Sequence, residues 1–181
     1  DKNLKYPIKL ICKHSIPKYA TDLFACGKNA GNWMFGGASY KIINNAIDVA
    51  AYAYDLTKRQ EMRQQLSVEN EFTVGHVGRF NQPKNHSFLL EIFNALLKEE
   101  PNAVLLLVGG GEDMKMIQVK AQILGIAEHV RFLGIRSDVA DLMQAMDIFV
   151  FPSLYEGLGI ALIEAQAAGL PCVVSDTIPK E

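Results

Sequence analysis

Cysteine is scarce in this sequence and badly spaced for cross-linking. Cys12, Cys26 and Cys172 are an odd number without C-x-x-C spacing. That argues against a disulfide framework or a zinc site and for reduced thiols in a cytoplasmic compartment. Histidine is equally sparse: His14, His76, His86 and His129 lie far apart with no metal-ligand spacing, so no metal and no cofactor is expected. Long apolar runs are missing too. Clean runs such as AVLLLV at 103–108 fall far short of the roughly 20 residues that a membrane-spanning helix needs. No charged-then-apolar leader opens the chain, so nothing in it reads as a secretion signal. Apolar residues make up 49% and charged residues 21% of the 181, which excludes a disordered or collagen-like chain. The length suits one domain, or one and a fraction.

The net charge of −2 hides an asymmetry. Residues 1–71 carry ten Lys/Arg against seven Asp/Glu, or +3, and residues 72–181 carry eight against thirteen, or −5. The first eighteen residues hold five lysines and one aspartate. Such a stretch is either a solvated surface or a site for peripheral association with an anionic membrane face. Nucleic-acid binding is not expected, because the larger segment is acidic.

From Phe72 onward two periods alternate. FTVGHVG (72–78), AVLLLVG (103–109), VRFLG (130–134), DIFVFPS (147–153) and PCVVSD (171–176) read as strands. Between them, Ser87 to Glu99 places Phe88, Leu89, Ile92, Phe93, Leu96 and Leu97 on one helical face. Further helices are expected within 109–125 (stopped by Gly125), from a Ser137 cap to Ala145, and over 159–169. Strand–helix–strand alternation with fully apolar strands implies a doubly wound, Rossmann-like α/β domain with a parallel sheet. Ligands in such sheets sit at the carboxyl ends of the strands. Residues 1–71 are less regular, with strands expected near ATDLFACG and KIINN (41–45) and a short helix from Lys28 to Phe35. The chain stops directly after its last strand, so it reads as a fragment. Residues 1–47 would be the tail of one domain, 48–70 a linker, and 71–181 most of a second domain.

Two constellations follow strand ends. In GRFNQPKN (78–85), Arg79 and Lys84 are either two basic residues of an exposed loop or a clamp on one diphosphate. In LYEGLGIALIEAQAAG (154–169), Gly157 and Gly159 open a helix where amides and the helix dipole favour an anion. Glu164 lies inside that nearly apolar helix and needs a partner: a structural arginine, solvent, or the two hydroxyls of a ribose. Glu156 is either a helix-start acid or a group facing a donor sugar in the strand-end crevice. The GGG at 109–111 is a tight turn or a contact near a nucleotide, and Arg136 is a surface arginine or a frame for a base.

R-x4-K at Arg79 and Lys84 combined with E-x7-E at Glu156 and Glu164, within VGRF and FVFPSLYEGLGIALIEAQAAGLPCVVSD, resembles the retaining GT-B glycosyltransferases of family 4. The resemblance is nearest in flavour to the bacterial members that build capsular or extracellular polysaccharide. It reaches upstream through CGKNAGNWMFG and KIINNAIDV, and it covers about Ala20 to Glu181. It implies the C-terminal, donor-binding half of a GT-B fold and transfer of a hexose from a nucleotide sugar, UDP-linked first, to a glycan or lipid-linked acceptor with retention. In its terms Arg79 and Lys84 hold the diphosphate, with Gly78 beside them, and Glu164 binds the ribose. Glu156 contacts the donor sugar, and the amides of Gly157, Leu158, Gly159 and Ile160 surround sugar and phosphate. The fragment would be inactive without the missing acceptor domain. A GT-B-type sugar-nucleotide epimerase and a non-catalytic nucleotide-sugar-binding module remain as alternatives. One departure is Asn45-Ala46, where the family has Asn-Gly.

Overall fold

The computed structural model describes residues 12–178, and the chain divides into two compact units, one running up to Ala46 and the other spanning Ile47–Ile178. The first unit holds a helix α1 over residues 12–19 and a small β–α–β turn. Strands β1 (Phe24–Ala25) and β2 (Lys41–Ile42) pair in parallel around α2 (Lys28–Phe35). Tyr40 lies over Gly31, where any Cβ would come within 2.2 Å of the ring. The Tyr40 hydroxyl donates to Asn32 Oδ1 at 2.8 Å, fixing the ring there. Among the described residues only Ser67 and Asn85 are non-glycines with positive φ, so Ala46 sits in ordinary backbone.

The second unit opens with α3 (Val49–Tyr52) and α4 (Leu56–Leu66), then alternates β3 (Thr73–Val77), α5 (His86–Leu96), β4 (Val104–Val108), α6 (Met114–Ile123), β5 (Val130–Gly134), α7 (Val139–Gln144), β6 (Ile148–Phe151), α8 (Ile160–Ala167) and β7 (Cys172–Val174). A short 3-10 turn, Gln82–Lys84, leads into α5. The five strands form one parallel sheet in the order β5-β4-β3-β6-β7. This is the doubly wound architecture that the alternating periods predict.

Period-two geometry explains why the strands are apolar throughout. In β4, Val104, Leu106 and Val108 join one core, with Met143, Phe149 and Ala165, while Leu105 and Leu107 join the other, with Leu89, Phe93 and Ile117. Each face is covered by helices, so neither set of side chains meets water. Gly75 at the centre of β3 leaves room for Met146, whose Sδ would lie 2.0 Å from an added Cβ.

Residues 48–70, read from sequence as a linker, carry α3 and α4. Asp55 caps α4 by accepting from the Thr57 and Lys58 amides at 2.8 and 3.1 Å. Arg59 donates to Asp147 at 2.5 Å and to the Gln144 and Met146 carbonyls at 2.9 and 2.8 Å. Arg63, buried, reaches Asp147 at 3.2 Å and the Ala145 and Glu71 carbonyls at 2.8 and 2.6 Å. Asp147 also accepts the Thr73 amide at 2.7 Å, so one carboxylate joins α4 to the entries of β3 and β6. The helix predicted from Ser137 starts one residue later. Asp138 is its N-cap residue and makes no side-chain cap, because its carboxylate is taken by Arg136.

Candidate functional site

Strand order reverses between β3 and β6, and there the loops leaving the two strands must diverge and leave a crevice. The loop after β3 and the loop after β6 are stitched together by backbone: the Leu154 amide donates to Pro83 O at 2.8 Å, and Asn85 Nδ2 to Pro152 O at 3.2 Å. Between them Lys84 Nζ lies 2.7 Å from Glu156 Oε1, with the two side chains only 19% and 11% exposed. Lys84 Nζ also sits 4.6 Å from the centre of the Phe151 ring, a cation–π contact that adds to its anchoring. The lysine stem runs over Gly78, where a Cβ would meet its Cδ at 3.2 Å. Gly78 is therefore a spacer for Lys84.

Arg79 takes a different direction. Its side chain is 70% exposed and pairs with Glu112 at 3.2 Å, so the two cations of the R-x4-K motif are held by two separate carboxylates. Arg79 lines an open hollow of about 480 Å³ with Gly109, Gly110, Gly111 and Ile135. The glycines are required by close approach. Gly109 has φ +136°, and a Cβ there would fall 2.0 Å from Gly78 O. The Phe80 amide donates to Gly110 O at 3.0 Å, joining the loops after β3 and β4.

After β6, Gly159 adopts φ +68° at the start of α8, and a Cβ on Gly157 would meet nothing within 4 Å. Glu156, Gly157, Leu158, Gly159 and Ile160 thus form a bare helix entrance beside Lys84. Glu164, half-buried, lies beside the Tyr52 phenol on α3, whose hydrogen bond and charge interaction with it are felt at the phenol. Burial, and then that bond and charge, push the Tyr52 phenol up to about 12. Arg136 is held in a bidentate pair with Asp138, its Nε 2.7 Å from Oδ1, at the end of β5.

Two histidines ten positions apart in the sequence form a buried pair. His76 on β3 and His86 at the start of α5 meet edge to face with centroids 4.7 Å apart, and His86 stacks on Phe80 at 4.0 Å. His76 Nδ1 bonds the Val150 carbonyl at 2.8 Å, while His76 Nε2 and both nitrogens of His86 have no hydrogen-bond partner. Burial, followed by the neighbouring imidazole and Lys84, drives His86 down to about 3. Burial drives His76 down to about 4 against the Val150 bond, so both rings are neutral. Nothing in the linear spacing marks these two as neighbours. Among the described residues no three His, Cys, Asp or Glu side chains are placed to hold a metal ion. No helix among them is long and apolar enough to cross a membrane.

The sequence pattern of the family described as "Glycosyl transferases group 1" matches residues 57–180. A putative glycosyltransferase of Bacillus subtilis (strain 168), EpsF, is 35% identical over 178 residues, covering 95% of this chain and 46% of that protein. An Escherichia coli UDP-Gal:alpha-D-GlcNAc-diphosphoundecaprenol alpha-1,3-galactosyltransferase is 32% identical over 139 residues, covering 75% of this chain and 36% of that protein. The chain thus spans half or less of the length of these curated relatives. Among solved structures, HepE from Anabaena in complex with UDP and glucose superimposes with a TM-score of 0.82 at 28% identity, covering 93% of this chain and 48% of that one. In the same protein's complex with UDP-glucose the TM-score is 0.79 at 31% identity, covering 90% and 46%. The parallel sheet and its helices are the C-terminal half of a GT-B fold, and the chain belongs to the group 1 glycosyl transferases.

Proposed function

We propose that this chain is the donor-nucleotide half of a retaining, family 4 type hexosyltransferase that moves a sugar from a UDP-sugar to a glycan or lipid-linked acceptor in cell-surface polysaccharide synthesis. The observation that carries this reading is the Lys84–Glu156 pair lying across the switch between β3 and β6. A cation held beside a bare helix entrance suits a diphosphate, since ammonium, amides and helix dipole act on the same anion. As the bond to the sugar breaks, the departing UDP oxygen gains charge, and Lys84, already desolvated, stabilises it without reorganisation.

The other roles follow from position. Arg79, exposed beside the glycine-lined hollow, takes the outer phosphate oxygens in bidentate fashion on leaving Glu112. Glu156, fixed by Lys84, faces the donor sugar hydroxyls, with the amides of Gly157 to Ile160 around sugar and phosphate. Glu164 already accepts a neutral hydroxyl from Tyr52, and ribose offers the same chemistry. Arg136 frames the edge of the base. No metal is called for, because side-chain and backbone N–H groups neutralise the diphosphate. The relatives, a UDP-galactose transferase and a protein bound to UDP-glucose, support a UDP-sugar donor. Residues 1–47 would belong to the acceptor-binding domain and residues 71–181 to the donor-binding domain, and the chain by itself would not transfer sugar. The N-terminal lysines would favour the inner membrane face, where lipid-linked acceptors reside; Lys2, Lys5 and Lys9 lie outside the described residues.

Isothermal calorimetry with UDP tests the reading. The wild-type chain binds, and Arg79→Ala/Lys84→Ala binds at least about tenfold more weakly, a loss of about 1.4 kcal/mol. Equal affinity for the two proteins overturns it.

A further inference from the structure

A separate hollow of about 300 Å³ lies beside the Gln82–Lys84 turn, between the starts of α5 and α6. Arg79, Lys84, Glu156 and Glu164 are not in its walls. Its polar side is made by Asn81, Gln82, Asn85, Ser87 and Asp113. Its apolar side is Met116, Ile117 and Leu154. The size is at the low end for ligand pockets and gives room for one sugar ring.

The lining chooses among ligand classes. It contains no Lys or Arg, and Asp113 adds a negative charge, so a phosphate or a second diphosphate is disfavoured. Lys120, which donates to Ser87 Oγ at 2.6 Å, is already held by Glu91 at 2.5 Å. A metal ion would find a single carboxylate. Three carboxamides, a hydroxyl and a carboxylate above a thioether and two aliphatic side chains match a neutral polyol. Ring hydroxyls donate to the carboxylate and amide oxygens and accept from the amide N–H groups, while the C–H face lies on Met116 and Leu154.

The walls also carry polar atoms that the fold itself leaves unsatisfied. His86, 2% exposed, lines the hollow, and neither of its ring nitrogens has a hydrogen-bond partner. Asn81 Oδ1, on the same wall, is buried and unbonded as well. Buried polar atoms are rarely left unsatisfied, because each forgoes the hydrogen bonds it would make in water. Asn85, at φ 54°, supplies no side-chain cap to α5, and its Nδ2 is engaged by Pro152 O.

We propose that this hollow is a saccharide subsite, holding one sugar ring of a glycan next to the donor cleft through hydroxyl contacts to Asn81, Gln82, Ser87 and Asp113. It rests on the transferase reading for the source of the ring, namely the glycan being extended. Leu154 belongs to both the hollow and the loop carrying Glu156, so a ring seated here lies against the donor loop.

Nuclear magnetic resonance titrations of the protein with maltotriose, UDP and inorganic phosphate test it. Maltotriose is expected to move the side-chain amide signals of Asn81, Gln82 and Asn85 and to leave the Gly157 and Gly159 amides in place. UDP is expected to do the reverse, and phosphate to leave the three side chains unmoved. Gln82→Trp, at an exposed position, fills the hollow and weakens maltotriose at least about tenfold with UDP affinity unchanged. Asn81→Ala does so without filling it. Maltotriose signals confined to Gly157 and Gly159, no movement at tens of millimolar, or movement of Asn81 and Asn85 by phosphate overturns the proposal. If UDP moves nothing while maltotriose acts as expected, the donor reading fails and the subsite stands.

Discussion

Lys84 Nζ and Glu156 Oε1 lie 2.7 Å apart although 72 positions separate them in the chain, and their contact bridges β3 and β6 where the sheet changes direction. With both side chains largely removed from water, breaking one end leaves an uncompensated charge. Lys84→Met is expected to lower unfolding free energy by about 3 kcal/mol, read from urea denaturation. Lys84→Met/Glu156→Leu regains most of that, since apolar pairs replace buried ion pairs well, yet both variants are expected to bind UDP at least about tenfold more weakly than the wild type in calorimetry. A double variant no more stable than the single one contradicts the pair's structural weight.

Arg79 should behave in the opposite way. Its exposed pair with Glu112 is weak in water, so Arg79→Ala changes stability by less than about 0.5 kcal/mol. Affinity for UDP falls about tenfold in calorimetry. A stability loss comparable to that of Lys84→Met would mean the pair is structural.

The glycine loops separate backbone strain from space. Gly109→Ala places a Cβ 2.0 Å from Gly78 O at φ +136° and is expected to cost about 2 kcal/mol or more in thermal unfolding. Gly157→Ala meets no atom within 4 Å and costs under about 1 kcal/mol, and since the amide is retained, any weakening of UDP in calorimetry arises from the added Cβ crowding the ligand.

The buried histidines set an acid limb. In the unfolded chain they titrate near 6.5, but burial holds His76 near 4 and His86 near 3 in the fold. Between about pH 6.5 and 4 the unfolded state binds protons that the native state refuses. Stability therefore falls with pH by up to about 1.4 kcal/mol per unit for each ring. His86→Phe, which keeps the stack on Phe80, should flatten that slope in urea midpoints measured from pH 7 to 4.5.

Asp147 governs a lower window. Burial alone would raise its carboxyl, but the Thr73 amide, Arg59 and Arg63 outweigh it and hold it below the usual carboxylate range. Its contribution is present above the unfolded value of about 3.9 and is lost as pH falls through the folded one. Asp147→Asn is expected to cost about 3 kcal/mol at neutral pH, because Arg63 stays buried without its counter-ion, and to lessen the pH dependence below about 4. An unchanged acid limb contradicts this.

The sheet was legible because its signal is local. A run such as Val104–Val108 is apolar at every position, which only a strand covered on both faces requires, and its alternate side chains do enter two different cores. The helix from Lys28 to Phe35 follows from the same kind of local reading. α4 was not legible, because LTKRQEMRQQL has scarcely any apolar face. It is held by Arg59 and Arg63 grasping Asp147, more than eighty positions away.

The motif residues Arg79, Lys84, Glu156 and Glu164 were likewise visible from strand ends and spacing. Amino-acid order by itself determined the alternation of strands and helices and the end of the sheet at which these candidate residues fall. Which side chains meet was decided only in three dimensions: Lys84 with Glu156, Arg79 with Glu112, Glu164 with Tyr52, His76 with His86. Periodicity fixes where an element buries its face, whereas lateral strand order depends on packing among distant segments, and that order places β3 beside β6.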